Sequence, residues 1–349
     1  MFSQVHFPEE LAPEDLDNLL ASGWFRMGQS IFTTNFLNFK GTFYSAIWLR
    51  VVLKNFTADK TQQKLLKRNS VFRTEIRPAN LTVTQEELFA TYKQSVSFEA
   101  ASTLNHLLFG RSLYSIYNTY EVNVYDGDKL IACGFFDLGS NSAAGISSFY
   151  DPAYRKHSLG RYLIYLKMSY CQQLGLDYFY PGYFVPGYAL FDYKLEMNRD
   201  LQQYLRVANE EWVDIDTFSP EWHPLLVMRT RLEELLLLLQ HNNMQASVHQ
   251  YEFFDGNLVP DLSDLDLFDY PLFIKGNDPA PGQLGPWIVY DVCDQQYHLF
   301  QCFIMGSPDN PMQVPGNYSE HVVRFDQHLA SAGTAEEVVR LFTSEGFVL

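Results

Sequence analysis

An α+β protein is expected, built around a mixed sheet with one right-handed crossover. Three observations predict it. A chain of 349 residues that is 47% hydrophobic can bury a large core, and its length suits two or three compact units. Its middle runs in the order helix, strand, hairpin, strand, helix, strand, and that order closes as a mixed sheet only through a crossover helix. Its charge is uneven: from Glu210 onward there are 22 acidic and 5 basic residues, against 19 and 20 in residues 1–209. Three parts follow: an N-terminal α/β part with a basic helix over 1–80, a mixed-sheet domain over 81–209, and an acidic C-terminal domain over 210–349 with no assigned role.

The elements follow in order. "PEELAPEDLDNLLASG" reads as a short acidic helix stopped by Gly23, and "SIFTTNF" and "YSAIWLRVVL" are strand-like in their β-branched and aromatic content. "ADKTQQKLLKRN" is a basic helix. A helix at "TQEELFATYKQSV" opens the middle part, and hairpin signals at Asp126-Gly127 and Gly139-Ser140-Asn141 divide the strands after it. "SLGRYLIYLKMSYCQQLG" is then a helix capped by Ser158 and closed by Gly175. The strand that follows, "DYFYPGYFVPGYALFDYKLEM", runs into tyrosines, glycines and prolines where a polar turn is usual. Beyond about Trp212 the sequence shows one strong helix, a stretch rich in proline and aspartate, and a final helix near "TAEEVVRLF".

Several function classes are disfavoured. "LEELLLLLQ" is too short to span a bilayer, and the first residues lack the basic and apolar regions of a secretory signal, so a cytoplasmic protein with no membrane partner is expected. Cys133, Cys171, Cys293 and Cys302 form no C-x-x-C pair, and no metal site is assigned. The net charge of −16 argues against nucleic acid, but its distribution reverses the argument locally. Lys40, Arg50, Lys54, Lys60, Lys64, Lys67, Arg68, Arg73 and Arg77 face only Asp59 and Glu75. That stretch is either a solvated helix face or a surface for a phosphate backbone.

The element order of the middle part is that of a GNAT-type acyltransferase core. In such cores the loop before the crossover helix carries [QR]-x-x-G-x-[GA] around a coenzyme A pyrophosphate. Here the loop reads "YRKHSLGRY": Arg155 and Gly160 fit, Ser158 replaces the first glycine, and Lys156 adds a charge. A side chain at that position crowds the amides, so coenzyme A is disfavoured; the helix start beside Arg155 and Lys156 either suits some other phosphate or is a plain capped helix.

These residues carry a resemblance to the aminoacyl-tRNA–protein transferases of the N-degron pathway, the arginyltransferases and the aspartate/glutamate leucyltransferases. It runs from about residue 20 to residue 205. Y-D-P falls at Tyr150, Asp151 and Pro152; S-L-G-x-Y starts at Ser158; Y-x-G-[YF] starts at Tyr180; and Y-K falls at Tyr193 and Lys194. The basic stretch aligns as well, with Lys60, Gln62, Lys64, Lys67 and Arg68 retained, which favours an RNA-facing helix. The family's G-[WF]-R-R-S-G appears as "GWFRMG": Arg26 and Gly28 remain, while Phe25 and Met27 replace an arginine and a serine. The family's N-terminal cysteine motifs have no counterpart.

The resemblance implies a GNAT-like fold of the dupli-GNAT type with an acidic C-terminal extension. It also implies transfer of an amino acid, of arginine or leucine type, from charged tRNA to a protein N-terminus, with Asp and Glu as candidate acceptors. The aminoacyl-tRNA is the co-substrate and no cofactor is needed. An α-amine with a pKa near 7.7–8.0 is already about a tenth unprotonated at neutral pH, so aminolysis needs mainly positioning, an oxyanion donor and a proton route. Tyr183, Asp151 and Tyr193 are the catalytic candidates. Arg26, Tyr150, Tyr180, Gly182, Gly187, Tyr188 and Lys194 are expected to bind substrate, and Lys60, Lys64, Lys67, Arg68, Arg155, Lys156, Ser158 and Gly160 to face tRNA. Two alternatives stay open: a non-catalytic binding member of the family, and an N-acyltransferase using acyl-coenzyme A.

Overall fold

The computed structural model describes residues 1–97, 101–276, 284–308 and 314–344. Strands β1 (Ser3–His6), β2 (Phe25–Met27) and β3 (Ser30–Thr34) form a small antiparallel sheet ordered β1-β3-β2, with helix α1 (Pro13–Ala21) between the first two strands. β4 (Phe36–Phe39) and β5 (Thr42–Ser45) make a separate hairpin, after which β6 (Ile47–Val52) enters the main sheet. Helix α2 (Lys60–Asn69) starts at Asp59, whose carboxylate accepts from the amides of Thr61 and Gln62 while Gln62 reaches back to the Asp59 amide. Strand β7 (Arg73–Pro78) and helices α3 (Val83–Gln94) and α4 (Leu104–Phe109) follow.

The middle part forms as its local signals require. β8 (Thr119–Asp126) turns into β9 (Lys129–Leu138) through Gly127, whose φ of +59° favours a residue without Cβ. A second turn leads to β10 (Ser142–Tyr150), and helix α5 (Leu159–Gln173) crosses to β11 (Tyr178–Phe184). β10 and β11 are parallel, pairing Ser142 with Tyr178 and Ala144 with Tyr180, as the crossover demands. The hairpin of β12 (Gln202–Arg206) and β13 (Glu211–Asp214) completes an eight-stranded sheet, β13-β12-β6-β11-β10-β9-β8-β7. Leu159, Leu163, Met168 and Cys171 pack α5 onto one face, with Phe136 and Phe179 among their partners. The fold class is α+β.

Two features depart from the expectation. The sheet runs through both expected boundaries, since β6 and β7 precede residue 81 and β13 follows residue 209. β6 is buried on both faces and needs neighbours on both edges, which β11 and β12 supply although they are distant in sequence. Ser158 stands at the start of α5 but makes no side-chain cap; its backbone is left-handed (φ 52°, ψ 44°), whereas capping requires an extended residue.

The acidic part is an α/β unit. Helix α6 (Pro224–His241) precedes β14 (Ser247–Tyr251), β15 (Leu272–Lys275), β16 (Trp287–Asp291), β17 (Gln296–Gly306), β18 (Asn317–Tyr318), β19 (Val322–Ala332) and helix α7 (Ala335–Ser344). The strands form one sheet, β18-β14-β15-β16-β17-β19, with Trp287 stacked on Phe273 at 3.9 Å in its core. Phe2, Phe36 and Phe43 from the start of the chain complete that core.

Candidate active site

The parallel pair β10–β11 is short. Its pairing covers residues 142–144 and 178–180, and register shifts follow between Gly145 and Ser147 on β10 and between Phe179 and Gly182 on β11. Past these irregularities a cleft opens, closed on its sides by α5 and the 3-10 segment Ala189–Glu196. An inner chamber of about 300 Å³ and an outer one of about 690 Å³ share Ile146, Ser147, Ser148, Ile164, Phe191 and Tyr193 in their walls, so they form one channel. Gly145 and Gly134 keep it in shape. A Cβ on Gly145 would lie 2.8 Å from the Phe179 ring, and one on Gly134 would lie 2.9 Å from Lys167 Nζ.

The inner chamber is cationic. Arg26, Lys167 and Lys194 line it, and no carboxylate does among the described residues. Arg26 is spent on structure: it pairs with buried Asp137 at 2.8 Å and also donates to Thr119 Oγ1 and to the carbonyls of Gly28 and Leu108. Lys167 Nζ donates to the carbonyls of Phe135 (2.9 Å) and Ser147 and to Ser148 Oγ (3.1 Å), tying α5 to the irregular part of β10. Lys194 Nζ donates to the Tyr183 carbonyl at 2.7 Å. Burial lowers both lysines from 10.5 to about 7. Tyr183 packs its ring between Trp48 (5.1 Å) and Phe191 (5.5 Å), and burial pushes its hydroxyl up to about 12. Ser147 Oγ is buried and has no hydrogen-bond partner.

The cleft gathers many of the residues the sequence singles out. Arg26, Gly182, Tyr183, Tyr193 and Lys194 line the inner chamber; Tyr150, Arg155, Ser158, Gly160 and again Tyr193 line the outer one. Others lie elsewhere. Asp151 stands outside both chambers, where its carboxylate accepts from the Ala153 amide (2.9 Å) and pairs with Lys129 (2.7 Å), which lowers its pKa, the lysine hydrogen bond being the largest cause. It starts a 3-10 turn and is not positioned to orient an amine in the cleft. Tyr180 points to the opposite face of the sheet from Phe179 and is core, packed with Leu16, Leu20 and Ile31. Gly187 (φ +82°) shapes a turn, and Tyr188 packs on Phe39 (4.8 Å) and Tyr44 (5.4 Å). Lys156 is exposed outside the walls.

The basic helix lies beside the channel. Lys60, Lys64, Lys67 and Arg68 are exposed on α2, and the helix end is fixed to the turn Pro152–His157 by Arg68 and Asn69, each donating to the His157 carbonyl at 2.9 Å. Arg155 and Lys156 on that turn therefore share a surface with α2 at the outer mouth. Sequence reasoning missed Lys167, Ser147 and Phe191. The signal for Lys167 was present: Leu159, Leu163, Lys167 and Cys171 recur every four residues, which sets the lysine on the buried face of α5. Away from the cleft, Asp291, Asp294 and His298 bring ligand atoms within 4.8 Å of one another and could hold a metal ion, which the sequence did not suggest.

Comparison with known proteins identifies the family. The model of the family described as "Arginine-tRNA-protein transferase, C terminus" matches residues 84–203, which include β8 to β11, α5 and Lys194. The chain is 31% identical over 222 residues to an aspartate/glutamate leucyltransferase of Leptospira interrogans, covering 62% of this chain and 84% of that protein. It is 28% identical over 213 residues to an aspartate/glutamate leucyltransferase of Vibrio cholerae, covering 59% and 85%. Among solved structures it is similar to FemX with a TM-score of 0.37 and 8% identity, over 51% of this chain and 63% of that one. The chain belongs to the aminoacyl-tRNA–protein transferase family, a family of aminoacyltransferases. Residues beyond 203 lie outside the family match, and among the described residues no helix is long and apolar enough to cross a membrane.

Proposed function

We propose that this protein transfers an amino acid from a charged tRNA to the N-terminal α-amine of a protein, in the cytoplasm and as a mark for degradation, on a GNAT-like scaffold of the dupli-GNAT type. The observation that carries the reading is the continuous channel: a basic surface on α2 and the turn Pro152–His157 at its outer mouth, and a cationic chamber without carboxylates at its inner end. The outer chamber takes the aminoacyl-adenosine, with Tyr193 and Tyr150 as stacking faces. The inner chamber takes the acceptor N-terminus. Neither wall carries a carboxylate among the described residues, and Phe89, Leu107, Ile146 and Phe149 line the outer one, which favours an apolar donor of leucine type over arginine.

The reaction asks little of the protein. The unprotonated amine attacks the ester carbonyl, the carbonyl oxygen becomes an oxyanion, and the tetrahedral adduct collapses with release of the tRNA 3′ hydroxyl, which takes up the proton the amine loses. Ser147 Oγ, buried and without another partner, stands where β10 is no longer paired with β11 though still paired with β9, and suits the oxyanion. No side-chain base is needed, and aminoacyl-tRNA is the only co-substrate. The test is incubation with individually charged, radiolabelled tRNAs and peptides bearing each N-terminal residue. Label appearing in a peptide from leucyl-tRNA supports the reading; tRNA binding without label transfer from any charged tRNA would make this a binding member of the family.

A further inference from the structure

We infer that Lys167 is a positioning residue for the transfer step: by taking the backbone carbonyls of Phe135 and Ser147, its ammonium leaves the Ser147 hydroxyl unspent and available to the cleft. The reaction in this statement rests on the transfer reading above; the placement of the hydroxyl does not.

A buried hydroxyl without a partner is uncommon, because a serine Oγ that has lost water ordinarily donates to a backbone carbonyl close by. The local ladder explains why Ser147 Oγ has none. Register shifts between Gly145 and Ser147, after which Ser147 pairs with Phe135 of β9. The carbonyls of both residues accept from Lys167 Nζ, that of Phe135 at 2.9 Å, and Ser148 Oγ accepts its third donor at 3.1 Å. Charge-assisted hydrogen bonds are roughly twice as strong as neutral ones, so the ammonium outcompetes the neighbouring hydroxyl for these oxygens. Ser147 Oγ is left over.

The surroundings are shaped for this lysine. Lys167 is 1% exposed on the buried face of α5, and a Cβ on Gly134 would stand 2.8 Å from its Cε and 2.9 Å from the Ser147 carbonyl oxygen. The glycine in β9 leaves the space that the ammonium and its acceptor fill. Ser147 stands in the walls of both chambers, where the acyl carbon and the attacking amine would meet. Lys167 has no donor left for a substrate, so it acts on the reaction through the serine.

The experiment is a double-mutant cycle of Ser147→Ala, Lys167→Met and the two together, read as kcat and KM for transfer of label to a peptide, with urea unfolding run beside it. Loss of one oxyanion donor typically costs about a hundredfold or more in kcat, so Ser147→Ala is expected to fall by about that factor with KM little changed. Lys167→Met should lose a similar factor in kcat, and the double variant no more than Ser147→Ala alone. Should Lys167→Met fail to fold, Lys167→Gln, polar but one atom shorter in reach, takes its place. Crystal structures of wild type and the lysine variant test the placement without activity: Ser147 Oγ should turn to a carbonyl that the ammonium has released. Losses that multiply in the double variant, or an Oγ that keeps its place when the lysine is gone, overturn the inference. Transfer by Ser147→Ala at the wild-type rate also sinks it and leaves the transfer reading standing. An Oγ that turns as expected in a protein that transfers from no charged tRNA does the opposite.

Discussion

A lysine buried without a charged partner carries a cost in stability, and Lys194 allows that cost to be measured. Burial lowers its pKa from 10.5 in the unfolded chain to about 7 in the folded one. Between those values the unfolded chain holds a proton that the folded chain has released, so stability rises with pH across the window; below about pH 7 both states are protonated and the whole penalty of burying the charge is present. At 1.36 kcal/mol per pH unit, the interval from 10.5 to about 7 corresponds to about 5 kcal/mol. Methionine at this position removes the charge and leaves the Tyr183 carbonyl without its donor, a loss of about 1–3 kcal/mol.

Lys194→Met is therefore expected to be more stable than wild type by about 3 kcal/mol near pH 6, with the advantage shrinking by about 1.4 kcal/mol per unit above pH 7 and vanishing near pH 9. Urea unfolding of both proteins at those pH values measures it directly. Lys167 has the same sign of dependence but is present in both proteins, so it cancels in the difference. A variant less stable than wild type near pH 6, or a difference that stays constant with pH, would refute the reasoning, because either would mean that the ammonium is not desolvated.

Three further outcomes follow from the geometry. Tyr193, 39% exposed and shared by both chambers, should stack the terminal base, so Tyr193→Ala is expected to lower transfer efficiency about ten- to a hundredfold while Tyr193→Phe retains it, measured as kcat/KM for charged tRNA. Changing Lys64, Lys67 and Arg68 together to alanine should weaken tRNA binding and reduce its salt dependence by about two to three counterions, read from the slope of log K against log salt; an unchanged slope returns α2 to a solvated face. Phe2→Ala should cost about 3–5 kcal/mol in urea unfolding, because the ring is 2% exposed and packs edge-on against Phe36 (5.0 Å) and Tyr270 (5.1 Å).

The sequence was most legible where the determinants are local. The hairpin at Gly127 and the helices over "ADKTQQKLLKRN" and "SLGRYLIYLKMSYCQQLG" rest on signals within a few residues and form as read; the box of Asp59 and Gln62 that starts α2 is equally local, though the reading did not use it. β6 was not placed, because its neighbours β11 and β12 come from more than a hundred residues away and nothing near residue 50 encodes them. The six-stranded sheet of the acidic part was hidden for a related reason: its strands alternate with loops rich in aspartate and proline, and the burial along β17 and β19 is broken by register shifts that blur a period of two. In the cleft, Gly182, Tyr183, Tyr193 and Lys194 were legible from two motifs, Y-x-G-[YF] and Y-K, while Asp151 misled. Its place next to the phosphate-type loop suggested chemistry, but the turn it starts uses one of its oxygens and Lys129 takes the other.

The acidic part is not a detachable tail. Asp269, fully buried between its strands, accepts from the amides of Phe2 and Ser3, and Phe36 and Phe43 of the β4–β5 hairpin insert into the same core. Removing residues 210–349 would expose these rings and strip β13 from the main sheet, so the unit supports the part of the chain that carries β2 and Arg26. Its charge has a second consequence. With 22 acidic residues against 5 basic ones it repels phosphate over several ångströms, whereas α2 and the turn Pro152–His157 attract it. On the proposed function, a tRNA steered by that field would approach from the α2 side, where the outer chamber opens beside Arg155, and the acidic unit would act on the reaction without lining the cleft.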